Sequence, residues 1–102
     1  VSVIKNETFS GCYSLKSVEI PQNVTEIASG TFSYCTNLTS VVIHGDIIIG
    51  DKAFAMCRSL KDISLEGEEV TIHEYAFSNC NTVENIHLKM KNPQNPSLDL
   101  IN

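Results

Sequence analysis

Four cysteines, three histidines and a knot of carboxylates are the residues of this 102-residue chain whose types could do chemistry. Cys12, Cys35, Cys57 and Cys80 are even in number, which in an exported chain allows a disulfide framework. Their spacing of 22 or 23 residues is unlike the CxxC spacing of a zinc site. His44, His73 and His87 could supply metal ligands or acid–base groups if the fold brought them together. Asp62, Glu66, Glu68 and Glu69 could attract a cation or a basic partner, but they lack the glycine and the alternating oxygen positions of a calcium loop. Asn6-Glu7-Thr8, Asn23-Val24-Thr25 and Asn37-Leu38-Thr39 are sequons. In a eukaryotic secreted protein they would accept glycans; in a bacterial one they would be silent, and chance alone produces such matches in a chain this rich in Asn, Ser and Thr.

The elements that position these groups follow from the cysteines themselves. Each lies three residues after a phenylalanine, in the pairs Phe9/Cys12, Phe32/Cys35, Phe54/Cys57 and Phe77/Cys80. Four further columns keep the register: Leu15/Leu38/Leu60/Val83, Val18/Val41/Ile63/Ile86, Ile20/Ile43/Leu65/Leu88 and Ile4/Ile27/Ile49/Ile72. A fixed period of this length marks a solenoid, in which each rung buries its apolar edge only against a neighbour. The cysteines then form a ladder of interior thiols, where Cys acts as a small hydrophobe, although adjacent rungs are close enough that distance alone does not forbid a bridge. The histidines fall in three different columns and are expected as solvated surface groups that do not converge. The acidic knot is expected as a solvated turn. No nucleophile, base and orienting group share a register, so catalysis within this chain is not expected.

Within the reference rung, Phe9, Cys12 and Leu15 are three residues apart, which predicts one face of a short helical or 3-10 segment. Val18 and Ile20 then alternate with Ser17 and Glu19, as in a half-buried strand. Pro21, His44-Gly45 and Glu66-Gly67 break that strand in successive rungs. A second extended stretch follows, clearest at Ile47-Ile48-Ile49 and Val70-Thr71-Ile72. The single length difference, six residues from Ile43 to Ile49 against seven from Ile20 to Ile27, falls in a turn. A deletion there spares the strands from a change of face. The repeat pattern fails after Leu88. Residues 1–90 are therefore expected to form the solenoid and 91–102 a cap, linker or disordered tail, the whole being a piece of a longer array.

Composition narrows the partners. A net charge of −5 with seven scattered basic residues argues against nucleic acid and anionic membranes. No apolar run approaches the roughly 20 residues that span a bilayer, and no signal-like start is present.

Written as AFxxCxxLxxIxL, with Ala53-Phe54, Cys57, Leu60, Ile63 and Leu65, the repeat resembles the BspA-like leucine-rich repeats. Ile49-Gly50-Asp51-Lys52-Ala53-Phe54 is similar to that family's return segment IgxxAF. Thr8 and Thr31 stand where the family has Ala, and Val83 where it has Leu. The resemblance implies a leucine-rich-repeat solenoid, right-handed, α/β in class but strand-dominated, with about four rungs of 22 or 23 residues, a parallel β-sheet and short helical or 3-10 segments. It implies a secreted or cell-surface protein that serves adhesion and protein binding, with a host or extracellular-matrix protein as ligand. It implies no catalytic residues and no cofactor. The open ends of the solenoid permit end-to-end self-association, and a spacer or an accessory domain of an enzyme are the alternative roles.

The expected binding surface is the outward side of the main strands, with Ser17, Ser40, Asp62 and Asn85 in one column, Glu19, Val42, Ser64 and His87 in the next, and His44 and Glu66 at the rim. It has no aromatic anchor, so affinity would build by repetition. Tyr13, Tyr34 and Arg58, on the opposite side, form an alternative patch of better anchor composition.

Overall fold

The computed structural model describes residues 2–4 and 8–89. The expected tail and the first two residues of the Asn6 sequon lie outside them. Short β-branched stretches become strands because alternate residues have the rest of the rung to bury against. In chain order these are β1 (Ser2–Ile4), β2 (Ser17–Ile20), β3 (Val24–Ile27), β4 (Ser40–Ile43), β5 (Ile47–Ile49), β6 (Asp62–Leu65), β7 (Val70–Ile72) and β8 (Asn85–Leu88). They assemble into two four-stranded parallel sheets, ordered β1-β3-β5-β7 and β2-β4-β6-β8. The return stretches thus form a sheet of their own rather than loose connections, and the molecule is a strand-dominated solenoid.

Register in the β2-β4-β6-β8 sheet is unbroken, with Val18, Val41, Ile63 and Ile86 in one row and Ile20, Ile43, Leu65 and Leu88 in another. Both rows point inward. Through β6 they meet the apolar residues of the other sheet, including Ile27, Ile49 and Ile72, in one continuous core, whereas in β8 Ile86 is half-buried and Leu88 exposed. The phenylalanines close the third side as a stack, with ring centroids 5.2, 5.1 and 5.2 Å apart and planes within 6° of parallel. Phe32, Phe54 and Phe77 are buried, but Phe9, which ends the stack, is 40% exposed.

The expected helical segment after each phenylalanine does not form: no helix occurs among the described residues. Three-residue spacing reflects single turns instead, closed by bonds such as Leu38 N–H to Cys35 C=O and Leu60 N–H to Cys57 C=O. Two facts explain the correction. The residue two after each phenylalanine has a left-handed backbone, with φ of 72° at Gly11, 61° at Tyr34, 64° at Met56 and 61° at Asn79, which ends any right-handed turn. The N–H groups a helix would need are also engaged elsewhere. Gly30, Phe32 and Tyr34 donate to the carbonyls of Asp51, Ala53 and Ala55 on the next rung.

The shortened turn at residues 44–46 keeps the rungs in step through close backbone approach. A Cβ on Gly67 would collide with the carbonyl of Gly45 directly beneath it, so the stacked turns require glycine for lack of space.

Candidate binding surfaces

Strand alternation sends Ser17, Glu19, Ser40, Val42, Asp62, Ser64, Asn85 and His87 outward, all exposed or half-buried. Parallel register aligns them in two rows across four strands, Ser17-Ser40-Asp62-Asn85 and Glu19-Val42-Ser64-His87. The expected face is thus assembled as one surface. Its polar groups are partly organised, since the Asn85 amide donates to Asp62 Oδ1 at 2.7 Å.

At the rim of this face the structure departs from the expectation of a freely solvated histidine. His44 Nε2 lies 2.6 Å from Glu19 Oε2, and its Nδ1 lies 2.8 Å from Glu66 Oε1. A carboxylate only accepts, and a neutral imidazole has one N–H, so satisfying both bonds requires the doubly protonated ring. Consistently, the bond to Glu19, followed by that to Glu66, raises the His44 pKa above the ordinary histidine value. The imidazolium ties three successive rungs. The acidic turn is also more than solvated, because Asp46 accepts the N–H groups of Glu68 and Glu69 at 2.9 and 3.1 Å. His73 stands 3.7 Å from Asp51, on the other side of the rung, and His87 is exposed on the strand face. The three histidines stay apart, and among the described residues no group of three His, Cys, Asp or Glu is placed to hold a metal ion.

All four thiols are free. The three interior ones repeat one contact: Cys35, Cys57 and Cys80 donate S–H to the carbonyls of Phe9, Phe32 and Phe54 at 3.3, 3.2 and 3.1 Å. Each thiol therefore satisfies a carbonyl of the rung before it while filling core volume. Burial pushes the Cys35 thiol up. The adjacent Cys80 thiol, with burial, holds Cys57 well above the thiol range. Such groups stay protonated and are poor nucleophiles. Cys12, at the end of the ladder, is only half-buried.

The opposite side carries a groove of about 850 Å³. Its floor is small, with Ser33, Ala55 and Ser78 on successive rungs, and its walls include Tyr34 and Met56 on one side and Lys52 and Tyr75 on the other. All four wall residues have left-handed backbones, with φ of 61°, 64°, 58° and 62°. Of the alternative patch expected from sequence, only Tyr34 lines this groove. Tyr13 and Arg58 belong to another column, where Asn37 and Thr82 hydrogen-bond their carbonyls. Tyr75 and Met56 escaped sequence reading, although their positions two before and two after a phenylalanine are visible in the repeat grid. Those columns look unremarkable until the backbone sign is known.

Fold and surfaces together define a repeat solenoid, without helix among the described residues, that presents a strand face and a turn-side groove. The chain matches, over residues 1–95, the family model described as BspA type leucine rich repeat region (6 copies), and it belongs to that family. Repeats of this kind generally mediate protein–protein interaction. No curated protein and no solved structure matches the chain.

Proposed function

We propose that this domain is an adhesion module of a secreted or cell-surface protein, binding a host or extracellular-matrix protein through the outward face of β2-β4-β6-β8. The observation that carries the reading is the unbroken register of that sheet. It sets eight outward side chains in two straight rows with no layer of the described residues packed over them. A flat, polar, uniformly spaced face suits weak contacts multiplied along an array, and the carboxylates of Glu19, Asp62 and Glu66 give it an acidic bias that favours a basic patch on the partner. Family membership supports protein binding in general terms.

The test is a binding screen of the immobilised domain against purified extracellular-matrix and cell-surface proteins, run beside the variant Glu19→Ala, Asp62→Ala, His87→Ala. Binding that disappears in a variant that still folds supports the face. Binding that survives all three substitutions removes it.

A further inference from the structure

We propose that the groove on the turn side is a second, separate site that takes a neutral oligosaccharide, with Tyr34 and Tyr75 as its stacking platforms. The first support is where the tyrosines sit. Tyr34 occupies the column of Gly11, and Tyr75 the column of Gly30, and all four backbones are left-handed. Glycine adopts that conformation without strain, whereas a bulky residue there is a true outlier. The same turns run with glycine in this very molecule, so the fold does not require the tyrosines. Nor do they bury their rings in return, both residues being 52% exposed. Strained backbone that holds exposed aromatic groups on either wall of a groove points to a use for those rings.

Chemistry of the lining selects the ligand class. The backbone N–H groups of Gly30, Phe32, Tyr34, Lys52, Phe54 and Met56 all donate to carbonyls of the next rung, so a peptide cannot add as a strand there. Recognition falls to side chains. The floor of Ser33, Ala55 and Ser78 offers no closed apolar pocket for an aliphatic anchor. The remaining groups are the Ser29, Tyr34 and Tyr75 hydroxyls, the Asn79 amide, which also donates to Ser78 Oγ, and one charge of each sign, Asp51 and Lys52, which leave the groove close to neutral. Ser33 Oγ is already engaged with the Gly30 carbonyl. Lys52 makes no ion pair among the described residues. A sugar ring matches this inventory, since its C–H face packs on an aromatic ring while its hydroxyls reach polar neighbours. The volume of about 850 Å³ lies within the roughly 300–1,000 Å³ typical of ligand sites.

Cellotriose, maltotriose and chitotriose, each titrated into the isotopically labelled domain and followed by NMR with calorimetry, test the assignment. The expected result is saturable shifts at Tyr34, Met56 and Tyr75 with at least one sugar. Affinity should fall by about tenfold or more in Tyr34→Gly and in Tyr75→Gly, while both variants keep or raise the thermal midpoint. No shift with any of the three sugars, binding that survives the double glycine variant, or a lowered midpoint in the glycine variants overturns the proposal. So does a groove that responds only to extended decapeptide probes, which would assign it to a polypeptide partner.

Discussion

The strand side and the turn side are built from the same rungs yet meet their neighbours in opposite ways. On the strand side every residue is extended, and the bonds that flank the strands run from later to earlier rungs, as from His44 N–H to Ile20 C=O and from Glu66 N–H to Ile43 C=O. On the turn side left-handed residues recur twice per rung, and bonds run from earlier to later rungs, as from Phe32 N–H to Ala53 C=O and from Phe54 N–H to Ala76 C=O. The strand face is therefore unstrained and polar, while the turn face carries exposed tyrosines in a conformation that disfavours them. Stability and surface display are separable in this fold, because the buried columns do the packing and the outward columns are open to change.

The largest effects should come from the interior that both sides share. Phe54→Ala removes a fully buried ring from the middle of the stack and should cost about 3–5 kcal/mol in urea denaturation. Phe9→Ala, at the exposed end, should cost clearly less. Equal losses would mean that the stack is uniform and its ends are covered.

Glycine substitutions then set the two sides against each other. Met56→Gly relieves a left-handed backbone worth about 1–2 kcal/mol, and after the greater chain entropy of glycine it should be neutral or stabilising by up to about 1 kcal/mol. Val42→Gly, in the extended strand, should lose about 1 kcal/mol. The same sign at both positions would erase the distinction.

A smaller effect concerns the rim. The folded pKa of His44 is raised by Glu19 and Glu66, so its contribution to stability is fully present below the unfolded value of about 6.5 and is lost as pH rises through the folded value. Thermal midpoints measured across that window should fall with pH more steeply in the wild type than in Glu19→Gln, Glu66→Gln. Parallel curves would show that the imidazolium ties nothing together. Thiol labelling of the native protein gives the mildest readout: Cys12 should react first, and Cys35, Cys57 and Cys80 only on unfolding.

Much of this is legible in the sequence. The period placed Val18, Val41 and Ile63 in one buried row, and the short turn at His44-Gly45-Asp46 absorbed the missing residue. Spacing of three residues misled at Phe9-Cys12-Leu15, because side-chain spacing is the same for a helix and for a chain of single turns. The sign of φ at Gly11, Tyr34, Met56 and Asn79 and the cross-rung bonds of the N–H groups distinguish them. Of these residues Gly11 advertises a left-handed backbone, Asn79 does so weakly, and Tyr34 and Met56 do not. At the rim, His44 and Glu66 share a column and were visibly neighbours. Glu19 joins them diagonally from the adjacent column, through side-chain reach that column order does not encode.

The most direct measurement is carbodiimide labelling of carboxylates, free and with a protein captured in the binding screen. Protection of Asp62 and Glu66, with Asp51 and Glu74 still labelled, is the expected result for binding through the strand face. Protection of Asp51 and Glu74, with Asp62 and Glu66 still labelled, would place the protein partner on the turn side and contradict it.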